Sequence, residues 1–114
     1  MSVKLNARQV GDVTVLDAAG RITLGEGSSA FRDRIKELTT SGNKKILINM
    51  ADVSYIDSSG IGELVSSFTT VTNSGGSLKL LNLGKRIQDL LQITKLYTVF
   101  ETFEDEAAAI RSFS

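Results

Sequence analysis

KKILINMADVSYIDSSGIG, residues 44–62, is the segment most informative about the fold, because its pattern passes from a buried strand into the start of a helix. Its apolar run, 46–50, is nearly continuous, which is typical of a central strand covered on both faces. The polar turn DSSG at 57–60 follows, and apolar residues then recur at helical spacing over 61–71. The sequence therefore predicts a strand, a turn and a helix in that order.

Before this stretch, the pattern predicts a β-hairpin and a first helix. Two strands, Lys4–Val10 and Val13–Ala18, are separated only by a tight Gly-Asp connection, which indicates an antiparallel pair. Apolar residues at spacings of four and three then predict an amphipathic helix over Glu26–Ser41, with Ser28 or Ser29 as its N-cap. A hairpin and a helix thus lead into the central strand.

After the central strand and its helix, strands and helices continue to alternate. LKLLNL at 78–83 repeats the buried-strand character, and apolar residues over 87–91 predict a third helix. A short edge strand is predicted over Val99–Phe103 and a last helix over 107–113. Alternation of this kind favours a parallel or mixed sheet with crossover helices, in one α/β domain covering 1–114.

Composition narrows the classes of function. Thirteen basic residues balance thirteen acidic ones, so no overall positive field favours nucleic acid. The chain has no cysteine and no histidine, which excludes thiolate metal sites and removes the commonest general base. No apolar run approaches the roughly 20 residues of a membrane span, and the N-terminus lacks the apolar stretch of a signal peptide. We expect a cytoplasmic protein with no metal, no cofactor, and no membrane or direct nucleic-acid partner.

Two motifs bear on catalysis or nucleotide binding, and both are weak. Gly25–Ala30 matches the dinucleotide fingerprint G-x-G-x-x-A, but Glu26 puts a negative charge where a pyrophosphate would lie. The alternative is a loop exposed enough to touch a partner. Ser58 or Ser59 could act as a nucleophile, yet the chain has no histidine base and no Ser-x-x-Lys motif flanks the turn. An enzyme is therefore not expected.

The DSSGIG turn fits a regulatory site better. Asp57, Ser58 and Ser59 lie where a helix begins, so their side chains can accept bonds from backbone N–H groups that have no partner within the helix. Gly60 and Gly62 are expected to leave those groups uncrowded and open to another molecule. A serine held in this way is accessible to a kinase. The alternative is that the turn only caps the helix, which is the common role of such residues.

The segment 46–62 and the helix after it closely resemble the STAS domain family, and in particular the anti-sigma factor antagonists of bacterial stress and sporulation control. The resemblance extends over nearly the whole chain, through Gly20-Arg21-Ile22 after the second strand, Gly75-Gly76 before LKLLNL, and the helix over 87–96. It implies a single STAS-like domain, with a small mixed β-sheet of four to five strands and about four α-helices packed mainly on one face.

The resemblance also implies a partner switch in transcription regulation. Such a protein, when unmodified, binds an anti-sigma factor that is itself a serine kinase of the histidine-kinase-like ATPase fold, and so frees a sigma factor. Phosphorylation of the first serine of the motif, Ser58, releases the kinase, and a PP2C-like phosphatase restores the unmodified form. The residues implied to flank the phosphorylation site or to contact the partner are Asp57, Ser59, Gly60, Ile61, Gly62, Arg21, Thr23, Gly25 and Glu26.

An alternative within the same family is a non-switching STAS scaffold, or a subunit attached to a transporter. Such a protein would bind its partner equally well with or without a phosphate on Ser58. Many members of the family carry an acidic residue where this chain has Thr23, a difference that bears on which partner is bound.

Overall fold

Strands and helices follow the predicted order. The structure, a computed structural model, describes residues 3–23 and 25–113, with the backbone alone at Glu26. In chain order the strands and α-helices are β1 (Val3–Val10), β2 (Val13–Ile22), α1 (Glu26–Thr40), β3 (Lys45–Ile56), α2 (Ser58–Asn73), β4 (Ser77–Leu81), α3 (Lys85–Ile93), β5 (Thr102–Phe103) and α4 (Glu106–Arg111). A 3₁₀ turn, Leu96–Thr98, lies between α3 and β5.

β1 and β2 form the predicted antiparallel hairpin. Gly11 adopts a left-handed φ of 63° in the turn, a conformation that glycine takes without steric penalty. β2 continues past its predicted end at Ala18 as far as Ile22. Register shifts after Asp17 and after Gly20 interrupt its pairing with β3, so the simple alternation that marks a strand in sequence breaks down there.

The sheet is mixed and has five strands in the order β1-β2-β3-β4-β5. β1 and β2 are antiparallel, whereas β2, β3, β4 and β5 run parallel to one another. This arrangement confirms the predicted α/β fold. β3 pairs with β2 as far as Ile56 but with β4 only as far as Asn49, so the carboxyl end of β3 extends past β4.

The helices cover the two faces of the sheet unequally. α1, α2 and α3 pack over the main core, which includes Leu16, Phe31 and Ile48. α4 covers a smaller cluster around Val15 and Leu47. Neighbouring side chains of a strand point to opposite faces, so Leu47 and Ile48 enter different clusters. Burial on both faces explains the continuous apolar run in the sequence of β3.

The predicted N-cap of α1 is wrong. Gly25, rather than Ser28 or Ser29, occupies the N-cap position, with a φ of 96°. The Ser28 hydroxyl instead donates to the carbonyl of Thr23 at 2.8 Å. The Ser28 hydroxyl therefore links α1 to Thr23 and does not cap the first turn of the helix.

β5 is an edge strand of two residues, shorter than the predicted Val99–Phe103. Phe100 turns into the main core, where it is 5% exposed and contacts the ring of Phe68 edge to face at a centroid distance of 5.5 Å. Phe100 thus belongs to the core rather than to the sheet, and only Thr102 and Phe103 pair in register with β4.

Candidate functional site

Asp57 caps the helix that carries the predicted phosphorylation site. Its backbone is extended, and its Oδ1 atom accepts a hydrogen bond from the Gly60 N–H at 2.8 Å. Its carbonyl also accepts the Ile61 N–H at 3.0 Å. Ser58 is therefore the first helical residue, and its side chain is exposed. Within the described part of the chain, the Ser58 hydroxyl has no hydrogen-bond partner, since Asp57 performs the capping.

The start of α2 rests directly on the end of β2. The Asp57 N–H donates to the carbonyl of Ile22 at 3.4 Å. A Cβ atom at Gly60 would lie 2.2 Å from that carbonyl oxygen and 2.5 Å from Cγ1 of Ile56, so no side chain fits there. Gly60 is buried and Asp57 accepts its N–H, so the absent side chain makes room for β2; that the first-turn N–H groups are open to another molecule stays a prediction. Gly62 is exposed, and a Cβ there would meet nothing within 4 Å.

The other predicted contact residues differ in their exposure to solvent. Arg21 and Gly25 are exposed, and Thr23 and Ser59 are half-buried. Ile61 is only 3% exposed and belongs to the main core, so it supports the turn from inside and does not face a partner. The side chain of Glu26 lies outside the described residues.

An ion pair between a mostly buried glutamate and an exposed arginine joins α2 to α1. Glu63 is one turn into α2 with a side chain 11% exposed, and it accepts hydrogen bonds from Arg32 of α1 at 3.0 and 3.1 Å. Hydrogen bonding and charge from Glu63 raise the pKa of the Arg32 guanidinium, which therefore stays charged. This pair was not predicted, since its members lie in different helices.

A second feature that the sequence analysis missed is a stack of two arginines on one aromatic ring. The guanidinium carbons of Arg21 and Arg86 lie 4.9 and 4.7 Å from the ring centroid of Tyr55. Arg21 comes from the end of β2 and is opposite Tyr55 in the strand register, while Arg86 comes from the start of α3. The charged side chains therefore meet beside the carboxyl end of β3.

Candidate metal ligands and candidate membrane spans were sought in the described ranges. Among residues 3–23 and 25–113, no group of three or more acidic, histidine or cysteine side chains could hold a metal ion. None of the helices described there is both long and apolar enough to cross a membrane.

Comparison with known proteins identifies the class. The family model for the STAS domain matches residues 4–109, and the chain belongs to the STAS domain family. A curated relative, the anti-sigma-B factor antagonist of Bacillus subtilis, is 33% identical over 101 residues, which cover 89% of this chain and 91% of the relative. The family predicted from the DSSGIG turn and the segments around it is therefore confirmed.

Solved structures share the fold. The Thermotoga maritima protein TM1081 superposes with a TM-score of 0.88 at 23% identity, covering 96% of this chain and 93% of that one. The Bacillus cell fate determinant SpoIIAA, an anti-sigma factor antagonist, has been solved in two forms. The unphosphorylated form gives a TM-score of 0.71 at 20% identity, over 96% of both chains. The phosphorylated form gives 0.75 at 20%, over 97% of this chain and all of that one.

Proposed function

We propose that the chain is an anti-sigma factor antagonist that works by partner switching, with Ser58 as the phosphorylated residue. The unmodified form binds an anti-sigma factor and frees a sigma factor, and phosphorylation ends that binding. One observation carries the proposal: Ser58 presents an exposed hydroxyl at the first position of α2 while Asp57 supplies the cap. The relative from Bacillus subtilis, which is named an anti-sigma-B factor antagonist, supports it.

A phosphate on Ser58 is compatible with the fold. It adds a charge of about −1.5 to −2 at neutral pH, and the amino end of a helix favours negative charge. In the part of the chain that the structure describes, the backbone N–H groups of Ser58 and Ser59 have no acceptor, so they can donate to phosphate oxygens. We therefore expect phosphorylation to leave the backbone and the free energy of unfolding almost unchanged.

Release of the partner follows from desolvation. A docked protein would have to cover a dianion that lies next to the Asp57 carboxylate, and burying an unpaired charge costs several kcal/mol. A loss of ~3 kcal/mol weakens binding by roughly a hundredfold. The charge alone is then sufficient, and no large conformational change is needed.

The proposed partners are the enzymes that add and remove this phosphate. The anti-sigma factor is a serine kinase of the histidine-kinase-like ATPase fold, and a PP2C-like phosphatase restores the binding form. The switch operates in the cytoplasm, and the chain itself performs no catalysis and contacts neither nucleic acid nor membrane.

The test is a pull-down from extract of the native organism with wild type, Ser58→Ala and Ser58→Asp. A matched control is Ser66→Asp, which adds the same charge at an exposed position of the same helix. A kinase of the ATPase fold should co-purify with all but Ser58→Asp. The purified kinase, given ATP, should phosphorylate wild type and leave Ser58→Ala unmodified in mass spectrometry.

Two results would redirect the proposal. Full phosphorylation of Ser58→Ala would move the modified site to Ser59 or Thr23. Equal retention of the kinase by Ser58→Asp and wild type would instead indicate the non-switching scaffold.

A further inference from the structure

Five arginines of this protein fall into two groups according to their partners. Arg8, Arg32 and Arg34 each form an ion pair with a carboxylate of the same chain. Arg21 and Arg86 are exposed and, among the residues described, form no ion pair with any carboxylate. These two arginines therefore keep guanidinium donors available to another molecule.

Tyr55 holds the two arginines in place. Both guanidinium groups stack on its half-buried ring, at 4.9 and 4.7 Å from the centroid. Stacking on an aromatic face is favourable by roughly 0.5–1 kcal/mol at exposed sites and restricts side chains that would otherwise be mobile. Two like charges beside one ring also repel each other, and a bound anion would relieve that repulsion. Asp89, three residues after Arg86, pairs with Lys85 at 3.6 Å.

The stacked arginines adjoin the turn that carries Ser58. Arg21 immediately precedes Ile22, whose carbonyl accepts the Asp57 N–H at 3.4 Å. Arg86 lies in the first turn of α3, which follows the carboxyl end of β4. Because the carboxyl ends of parallel strands meet at one edge of a sheet, a protein docked on Ser58 can reach both arginines.

We propose that Arg21, Tyr55 and Arg86, here called the arginine clamp, bind an acidic segment of the partner protein. Each guanidinium presents a planar set of N–H donors that matches a carboxylate of Asp or Glu. The proposal rests on the proposed function, because the clamp adjoins the Ser58 turn, and it adds the chemistry of the partner. Arg86 thereby becomes a specificity-determining residue.

A protein carboxylate fits the clamp better than nucleic acid does. The chain has a formal net charge of zero, and the clamp supplies two cations. Proteins that depend on phosphate backbones typically neutralise about 6–10 phosphates with lysines and arginines. An acidic segment at the clamp also lies close to Ser58, so a phosphate there would repel the segment and promote release.

The clamp can be tested with a defined probe, an acetylated oligoglutamate peptide, and oligoglutamine as its uncharged control. Binding is followed through the arginine side-chain N–H resonances of isotope-labelled protein by NMR. Wild type should bind oligoglutamate at low salt, and Arg21→Gln/Arg86→Gln should bind it about tenfold more weakly. The matched control Lys4→Gln/Lys36→Gln removes the same charge from exposed positions on β1 and α1 and should bind like wild type.

Unchanged binding by the arginine variant would overturn the clamp. Tighter binding of a single-stranded oligonucleotide or of phosphatidylglycerol vesicles than of oligoglutamate would also overturn it, since the partner would then not be an acidic protein. Thermal melting of the arginine variant should match wild type, because both side chains are exposed. Ser58→Asp is tested separately. Weaker peptide binding supports repulsion between residue 58 and the bound segment, whereas unchanged binding contradicts that repulsion and leaves both the clamp and release by desolvation standing.

Discussion

Two charged regions of the molecule use their cations in opposite ways. Beneath α4, Arg8 binds two carboxylates, and Lys79 donates to Ser112 while lying against aromatic rings. Beside the start of α2, Arg21 and Arg86 stack on an aromatic ring, and their donors meet no carboxylate within the described chain. In the first region the cations join elements of one fold. In the second region, their N–H donors are available to bind another molecule.

Burial accounts for the partners of Lys79, though not for those of Arg8, whose side chain is 41% exposed. The Lys79 side chain is 10% exposed, and a buried ammonium is stable only with partners, which are the Ser112 carbonyl and hydroxyl, both at 2.9 Å, and Glu101 at 3.3 Å. Arg21 and Arg86 are exposed, so water solvates them and no internal partner is required. The contrast predicts that substitutions near α4 change stability, whereas exposed substitutions near Ser58 change binding.

The largest effect should come from Gly60→Ala. This residue lies in the region assigned to binding, but its substitution should change stability, because the residue is buried. The new methyl group would overlap the Ile22 carbonyl and displace the start of α2, so the free energy of unfolding should fall by about 3 kcal/mol in urea titrations. Gly62→Ala is the matched control, and it should raise stability by about 0.5–1 kcal/mol because the site is open and helical. Equal effects of the two substitutions would show that the contact with β2 is unimportant.

A smaller loss is expected from Lys79→Ala beneath α4. Removal of this side chain leaves the Ser112 carbonyl without its donor and leaves space between Phe103 and Phe113, so unfolding should become easier by about 2 kcal/mol. Lys79→Met, which keeps the apolar stem, should lose less in the same titration. Phosphorylation of Ser58 by its kinase should continue at the wild-type rate, and a slower rate would contradict the separation of the two regions.

Arg8→Gln should have a modest effect that depends on pH. Hydrogen bonds from Arg8 hold the pKa of Asp17 and of Glu106 below their usual ranges. A lowered pKa in the folded state stabilises the fold above the unfolded-state pKa of about 4, and this contribution is lost as the pH falls from about 5 through the folded-state pKa. At neutral pH the variant should lose less than about 1 kcal/mol, since the groups are partly exposed.

The measurement for Arg8→Gln is the free energy of unfolding of both proteins between neutral and acid pH. The gap between wild type and variant should close progressively below about pH 5, where Asp17 and Glu106 become protonated. A gap of constant size across this range would mean that the ion pairs do not act through these carboxylates.

The smallest effect is expected from Ser58→Asp on stability. Favourable interaction with the amino end of α2 and repulsion from Asp57 oppose each other, so the change should stay within about 0.5 kcal/mol. Asn73→Asp places the same charge at the carboxyl end of the same helix and should destabilise by about 0.5 kcal/mol. A large loss of stability in Ser58→Asp would show that charge at this turn acts on the fold and not on binding.

The order of the elements could be predicted because each carries its pattern locally. The apolar periods of α1 and α2 and the continuous run of β3 predicted their types. The length of β5 and the capping of α1 could not be predicted. β5 depends on the burial of Phe100 elsewhere in the core, and Gly25 takes the N-cap because Ser28 bonds to its own loop.

The candidate site, like the fold, was predictable where its pattern is local in the sequence. The polar turn between a buried strand and a helix placed Asp57 and Ser58 at the start of α2. The burial of Gly60 was not foreseen, because the sequence does not show that β2 passes beneath it. The stack on Tyr55 was also missed, since Arg21 and Arg86 come from distant parts of the chain and only the fold brings them together.

The contact between Ile22 and the turn at Asp57 and Gly60 has a consequence for how a kinase would recognise Ser58. The end of β2 and the turn that carries the acceptor serine are in direct contact and form one epitope, assembled from segments far apart in sequence. An excised peptide or a newly made, still unfolded chain lacks that epitope. We therefore expect phosphorylation to be confined to molecules that have completed folding. The level of phosphorylated protein then reflects folded molecules only.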